Sequence, residues 1–197
     1  PNSTANLDAV PFKKMKQFIK QGYERGGVIT ISWHTDSPFG AEKGAWDTTH
    51  GTVASIIPGG SNHVKYKEWL DKVAFFIGSL KGSKGEAIPL LFRPFHEQTG
   101  NWFWWCKNAS TPDEFKAVWR FTVNYLRTEK KLHQLIYVYN TADFKNEAEF
   151  LACYAGDDVA DVIFYCASLP PHVCINDLTL TPLRQANSFY YNREPNT

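Results

Sequence analysis

The sequence predicts an α/β fold in which buried parallel strands alternate with amphipathic helices. Four short apolar runs occur, three of them rich in β-branched, aromatic or leucine residues, and the segments between them repeat apolar residues at helical spacing. None of these runs is followed by the glycine-rich phosphate-binding signature that marks an open nucleotide-binding sheet. The sequence therefore favours a parallel sheet of the barrel type.

The predicted strands end in side chains that could bind a ligand. The strands read VITISW, IPLLFRPF, LIYVY and VADVIFY, at residues 28–33, 88–95, 135–139 and 159–165. Ligands collect at the carboxyl ends of parallel strands, because these ends meet at one edge of the sheet. The residues that we predict to share this rim are Trp33, His34, Arg93, His96, Glu97, Asn140 and Tyr165.

Three helices are predicted around these strands. Apolar residues recur three or four positions apart between residues 12 and 23, between 66 and 77, and between 115 and 126. The segment STPDE at 110–114 supplies a cap, a first-turn proline and acidic residues for the third helix. Residues 35–62 form a longer connection than usual, which indicates a binding loop.

Composition excludes several classes of partner. The chain has 197 residues, 43% of them hydrophobic, and its 21 basic and 20 acidic residues form no runs that would attract nucleic acid or an anionic membrane. Neither a signal peptide nor an apolar stretch of the roughly 20 residues needed for a membrane span is predicted. The cysteines form no CxxC pair and are interpreted as packing residues: Cys106, Cys153, Cys166 and Cys174.

The segment PLLFRPFHEQTGNWFWW, residues 89–105, carries the most chemical information. Glu97 follows an apolar strand, where a carboxyl group can act as a general acid. Trp102, Trp104 and Trp105 follow closely, and tryptophan faces stack well on sugar rings. At least one of the three is expected in the core and one or two against sugar, while Trp46 in the preceding loop is a further stacking candidate.

Other interpretations of the polar residues stay open at this point. Arg93 and Glu97 are four positions apart and could form a purely structural salt bridge. His34, His96 and Glu97 could suggest zinc, but the HExxH spacing is absent. We therefore predict no metal and no cofactor.

The segment RPFHEQTGNWFWW resembles the RPxHExxGxWFWW segment of glycoside hydrolase family 26, whose typical members are endo-β-1,4-mannanases. VITISWHTDSP also resembles the preceding strand of that family, which ends in a tryptophan-histidine pair. The similarity runs from about residue 1 to residue 163, and the tail does not match. It implies a (β/α)8 TIM barrel, of which this chain carries about strands three to six. We expect one incomplete catalytic barrel domain over 1–197, with the assignment of 164–197 left open.

The resemblance implies retaining, endo-acting hydrolysis of β-1,4-mannosidic bonds in mannan, galactomannan or glucomannan. Glu97 would be the general acid/base, His96 its neighbour in the site, and Arg93 the group that orients the acid. Trp102 would form a wall of the subsite for the sugar whose bond is cleaved. The residues predicted to bind substrate are His34, Trp46, Trp102, Trp33, Asn140 and Tyr165.

The nucleophile that a retaining glycosidase needs is not found in this chain. In the family it is a glutamate at the end of the seventh strand, in a Glu-Thr-Gly-like motif. No such motif follows Ile163, and Glu194 lies in the segment NREPNT, which does not resemble a strand end. We therefore leave the nucleophile unassigned.

Two other functions remain compatible with the sequence. A non-catalytic glycan-binding barrel would keep the tryptophans and lack the second carboxylate. A related hydrolase would cleave xylan or mixed-linkage β-glucan, because the acid/base strand does not specify the sugar. We expect a monomer that acts on β-mannan oligosaccharides or polysaccharides, and the family implies that it is secreted, periplasmic or on the cell surface.

Overall fold

The structure, a computed structural model, describes residues 4–5, 9–160 and 162–164. Its helices are α1 (Phe12–Glu24), α2 (Thr52–Ile56), α3 (His63–Gly78), α4 (Pro112–Asn124) and α5 (Glu147–Leu151). Its strands are β1 (Thr30–Trp33), β2 (Leu90–Pro94), β3 (Leu135–Asn140) and β4 (Val162–Phe164). A 3-10 segment spans Ala41–Trp46, and a π-helical turn, Tyr125–Glu129, extends α4. No helix in the described ranges is long and apolar enough to cross a membrane.

The three predicted helices and the four predicted strands are confirmed, and three of the strands are shorter than predicted, with the second limited to Leu90–Pro94. The first strand begins at Thr30 because Val28 is 78% exposed just after a turn in which the Gly27 N–H donates to the Gly22 carbonyl. The fourth begins at Val162, since Val159 closes a turn with Gly156. Helical spacing in the sequence places neither of the short helices α2 and α5, because five residues give too little periodicity to recognise.

The four strands form one parallel sheet in the order β1-β2-β3-β4. Crossovers between parallel strands are right-handed, so a sheet whose order follows the sequence receives all its helices on one side. A doubly wound sheet would instead reverse its strand order. The sheet is thus part of a (β/α) barrel, with helices outside and the strand ends at one rim.

The two faces of the sheet differ in character. Along β2 the residues alternate between buried and half-buried, and the buried ones face the helices. In register, Ile31 pairs with Phe92 and Phe92 with Tyr137, so these side chains share the helix face. Ser32 pairs with Arg93, which places both side chains on the inner, polar face.

The core between the sheet and the helices is aromatic. Trp119 of α4 stacks on Phe115 at 6.2 Å between ring centres and meets Tyr139 of β3 edge-on. Its indole N–H donates to the Val159 carbonyl at 3.1 Å, so no polar atom of this ring is left unpaired. These contacts fasten α4 to β3 and to the segment that precedes β4.

Helix α4 begins as the sequence predicts. The Thr111 hydroxyl accepts from the Glu114 N–H at 3.3 Å, and the Glu114 carboxylate accepts from the Thr111 N–H at 2.8 Å. With Pro112 in the first turn, this is a complete capping box. The cap fixes where the loop after β2 ends.

Replacement of Trp119 by alanine is expected to lower the free energy of unfolding by about 3–5 kcal/mol, because it empties a fully buried site. Trp46→Ala is the matched control, since its ring is 68% exposed, and we expect a change of about 0.5 kcal/mol. Urea unfolding followed by circular dichroism measures both. Equal losses in the two variants would contradict this assignment of the core.

Candidate active site

The carboxyl ends of β1, β2 and β3 bring together most of the residues that the sequence singles out. His34 follows β1, His96 and Glu97 follow β2, and Asn140 ends β3. Arg93 lies within β2 on the inner face. Tyr165 lies outside the described residues, as does every residue after it. The described rim therefore contains three strand ends with polar side chains.

The turn after β2 has an unusual backbone. Phe95 and Glu97 have φ angles of 51° and 58°, the left-handed region that residues other than glycine seldom adopt. Such residues cost about 1–3 kcal/mol each and persist where neighbours hold them. Here the Trp105 indole N–H donates to the His96 carbonyl at 2.7 Å, and the Cys106 thiol donates to the Glu97 carbonyl at 3.3 Å.

The Glu97 carboxylate is half-buried and in contact with Trp102. The Trp102 indole N–H donates to Glu97 Oε2 at 3.0 Å. The indole also lies against Gly100, where an added Cβ would fall 2.7 Å from a ring carbon. The missing side chain at Gly100 therefore allows the ring to reach the carboxylate.

Arg93 binds across the sheet rather than to Glu97. Its guanidinium donates from Nη1 to Ser32 Oγ at 3.0 Å and from Nη2 to Asn140 Oδ1 at 2.8 Å. The same Asn140 oxygen accepts the backbone N–H of Glu97 at 3.2 Å. No ion pair joins Arg93 to Glu97 in the described part of the chain, so the structural salt bridge considered from the sequence does not form.

His34 and His96 form an imidazole pair. Their Nε2 atoms are 3.0 Å apart and their rings meet edge-on at 4.3 Å between centres. His34 is exposed, whereas His96 is buried. Burial, together with the nearby His34 ring and the Arg93 guanidinium, lowers the pKa of His96 to about 4. His96 is therefore neutral near pH 7 and can either donate or accept at Nε2.

The four nearby tryptophans divide between the site and the core. Trp104 and Trp105 are completely buried, and Trp104 donates to the Thr35 carbonyl at 3.0 Å. Trp102 is half-buried, and Trp46 is exposed. The expectation that this group serves both core and rim agrees with these exposures.

Phe103 links the aromatic residues of the site. Its ring stacks on Trp105 at 4.4 Å and lies 5.0 Å from Trp46 and 5.3 Å from each of the two site histidines. The backbone N–H of Trp104 donates to the Ala45 carbonyl at 3.2 Å. This hydrogen bond joins the loop after β1 to the loop after β2. These contacts place Trp46 beside the histidine pair.

Two predicted substrate contacts lie elsewhere than the sequence suggests. The Trp33 ring stacks on Tyr66 of α3 and on Phe92, at 6.2 and 6.4 Å, so it belongs to the helix face of the sheet. Strand alternation requires this, since its neighbour Ser32 faces inward. Asn140 is buried and occupied by protein groups rather than open at the rim. These placements do not support a direct substrate contact for either residue.

Three residues of the site are absent from the sequence-based prediction. Ser32 accepts from Arg93, Phe103 packs on both histidines, and Cys106 donates to the Glu97 backbone. Strand alternation could have identified Ser32, because it shares a face with Arg93. Cys106 is buried as predicted, and burial raises the pKa of its thiol.

The arrangement suits chemistry on an uncharged, hydroxyl-rich ligand. No group of three histidine, cysteine, aspartate or glutamate residues that could hold a metal ion occurs among the residues that the structure describes. What the rim offers is a carboxylate fixed by an indole N–H, the imidazole pair of His34 and His96, and exposed aromatic surface. A carboxyl group held in this way can transfer a proton to a bound sugar.

Comparison with known proteins identifies the family. The family model described as "Glycosyl hydrolase family 26" matches residues 3–189. The chain belongs to glycosyl hydrolase family 26. This match confirms the resemblance seen in the strand motifs and extends beyond residue 163, where that resemblance ends.

The family 26 relatives share sequence and fold with this chain. A mannan endo-1,4-beta-mannosidase of Bifidobacterium adolescentis is 35% identical over 167 residues, which are 84% of this chain and 16% of the relative. A GH26 beta-mannanase structure from Bacteroides ovatus is 41% identical with a TM-score of 0.77, covering 82% of this chain and 47% of that one. A modular endo-beta-1,4-mannanase from Cellulomonas fimi is 32% identical with a TM-score of 0.73, covering 77% and 34%.

The chain spans less than half the length of each of these relatives. Within that span, the fold class predicted from the sequence is confirmed: an α/β chain whose parallel strands form part of a (β/α)8 barrel. The site lies at the end of that barrel where ligands bind in this architecture.

The low pKa of His96 predicts how the stability of this family 26 chain depends on pH. The unfolded chain protonates this residue below about pH 6.5, whereas the folded protein keeps it neutral to about pH 4. The free energy of unfolding should therefore fall as the pH drops through this window. His96→Gln should reduce the difference in unfolding free energy between pH 7 and pH 4 by about 3 kcal/mol. Denaturant titrations at the two pH values test this, and an unchanged difference would contradict it.

Proposed function

We propose that this chain carries the acid/base part of an endo-acting, retaining glycoside hydrolase that cleaves β-1,4-mannosidic bonds in mannan, galactomannan or glucomannan. The observation that carries the proposal is the Glu97 carboxylate, held at the rim by the Trp102 N–H. The names of the relatives support the substrate, since those from Bifidobacterium adolescentis and Bacteroides ovatus are described as a mannosidase of mannan and a β-mannanase.

In this mechanism Glu97 acts twice. As a general acid it protonates the glycosidic oxygen while a second carboxylate attacks the anomeric carbon and forms a glycosyl-enzyme intermediate. As a general base it then takes a proton from the water that hydrolyses this intermediate. The two carboxyl groups of a retaining enzyme lie about 5–5.5 Å apart. The second one is not assigned to any residue of this chain.

Trp102 orients the acid through its hydrogen bond. An indole N–H can only donate, so Glu97 Oε2 acts as the acceptor in this contact. The proton that is transferred to the substrate then resides on Oε1, which is the oxygen left to face the sugar. The half-buried indole can in addition form one wall of the subsite.

The histidine pair and Trp46 are proposed to hold the neighbouring sugar units. Exposed His34 can exchange hydrogen bonds with a hydroxyl while its Nε2 stays in contact with His96. The exposed ring of Trp46 offers a stacking surface on the same side, beside Phe103. Arg93 contributes indirectly, by fixing Asn140 beneath the acid.

A glycan-binding protein without catalysis is the second candidate, and the unassigned second carboxylate is what favours it. Incubation with mannan followed by analysis of products distinguishes the two functions. New reducing ends indicate hydrolysis, whereas tight binding without them indicates the binding function. Xylan and mixed-linkage β-glucan in the same assay test the related hydrolases.

We further propose that the enzyme acts as a monomer outside the cytoplasm, either secreted, periplasmic or on the cell surface. The polymeric nature of mannan supports the location, because such a chain has to be shortened before import.

Glu97→Ala is expected to lower kcat/KM on galactomannan by about 10²–10⁴-fold, the contribution of a general acid/base. The matched control is Glu68→Ala, which removes an exposed carboxylate of α3 and should leave the rate unchanged. Reducing-sugar assays in the protein that carries this chain measure both. Retained hydrolysis in the Glu97 variant would overturn the proposed function.

Trp102→Phe keeps an aromatic ring but removes the N–H that binds Glu97. We expect kcat on mannan to fall by about ten- to hundred-fold, since a hydrogen bond to a charged group contributes about 1.5–3 kcal/mol. Trp46→Ala should instead raise KM more than it lowers kcat, because its ring packs on Phe103 and not on the Glu97 carboxylate. Steady-state kinetics with mannan oligosaccharides separate these outcomes, and a pure KM effect in Trp102→Phe would refute the orienting role.

A further inference from the structure

We propose that Asn140 is a positioning residue that aims the Glu97 carboxyl group at the glycosidic oxygen. The proposal rests on the acid/base function of Glu97 and adds a residue that acts through it. It replaces the expectation that Asn140 contacts substrate, because the side-chain oxygen of Asn140 is already engaged by two protein donors.

The Asn140 side chain is a buried hydrogen-bond acceptor beneath the site. It is 1% exposed, and Oδ1 accepts from Arg93 Nη2 at 2.8 Å and from the Glu97 N–H at 3.2 Å. A carbonyl oxygen has two lone pairs, so these two bonds use its full capacity. Oδ1 therefore has no remaining lone pair for a sugar hydroxyl.

The bond to the Glu97 N–H matters because of the local backbone. Glu97 is in the left-handed region, outside any helix or strand, so no regular ladder holds its amide. Asn140 Oδ1 holds the N–H of this residue, and Trp102 holds the far end of its side chain. With both ends fixed, the direction of the carboxyl group is set by the scaffold instead of by the substrate.

Arg93 extends this control across the sheet. The guanidinium joins Ser32 of β1 to Asn140 of β3, while Arg93 itself belongs to β2. The row Ser32, Arg93, Asn140 thus ties three neighbouring strands together on the inner face. If these strands shifted relative to one another, Asn140 Oδ1 would move and the Glu97 amide bound to it would be displaced.

A misaimed acid has a kinetic signature that a lost substrate contact lacks. Protonation of the leaving oxygen is essential when the leaving group is a sugar, but a dinitrophenolate departs without help from an acid. Misorientation of the Glu97 carboxyl group should therefore reduce kcat/KM for a mannan oligosaccharide and leave kcat/KM for a dinitrophenyl β-mannobioside largely unchanged. A residue that only contacts sugar, or only stabilises the fold, would affect both substrates equally.

The experiment compares kcat/KM on these two substrates for Asn140→Ala, in the protein that carries this chain. We expect a loss of roughly ten- to hundred-fold with mannotetraose, a part of the full contribution of a general acid, and a clearly smaller loss with the dinitrophenyl substrate. Equal losses on the two substrates, or no loss on either, would overturn the role of Asn140.

Asn140→Asp and Tyr139→Phe serve as companion variants. Asn140→Asp keeps an oxygen in the place of Oδ1, so its ratio of kcat/KM values should stay close to that of the unaltered protein even if the alanine variant does not fold. A ratio shifted towards the dinitrophenyl substrate in Asn140→Asp would also count against the proposal. Tyr139→Phe removes a buried hydroxyl bound to Gln98 and the Phe150 carbonyl on the helix face. It should lower the melting temperature and leave the ratio unchanged.

Glu97→Ala, measured on the same pair of substrates, separates the two levels of the proposal. If it does not spare the dinitrophenyl substrate, the acid/base function itself fails. If it spares that substrate and Asn140→Ala does not, only the positioning role of Asn140 fails.

Discussion

The register of three parallel strands is the constraint on which the site depends. It places Ser32 level with Arg93 on the inner face, and Asn140 on the same face further along β3, where the guanidinium can bind both side chains. The Asn140 oxygen at the end of the row holds the amide of Glu97 in a backbone conformation that no regular element would supply. A slip of one residue in any of these strands would turn its member of the set toward the helices and break the hydrogen bonds that it makes.

The aromatic residues of the chain perform two physically different tasks. On the helix face, Trp119 and Tyr66 exclude water and hold the layers together by close packing. Beyond the strand ends, Trp46 and Trp102 keep exposed surface, and Trp102 uses its polar edge to bind a carboxylate. Phe103 and Trp105 connect the two groups, since they lie under the histidine pair and within the core cluster.

Much of the fold and the centre of the site could be predicted from the sequence, because the spacing of apolar residues and the position of strand ends are local properties. The helices, the four strands and the setting of Glu97 depend on them. Trp33 and Asn140 were harder: their roles depend on which face each residue occupies and on which donors lie nearby, both set by pairing between distant segments. The left-handed conformations of Phe95 and Glu97 could not be predicted either, since neither residue is a glycine and their supporting bonds come from β3 and the loop that follows β2.

The absence of a side chain at Gly100 makes positions 100 and 102 depend on each other. A single added carbon would lie 2.7 Å from the indole of Trp102, so the ring could remain beside Glu97 only if the backbone moved. The residue tolerated at position 100 therefore depends on the size of the ring at position 102. Substitutions at the two positions are coupled, and the effect of one has meaning only when the identity of the other is stated.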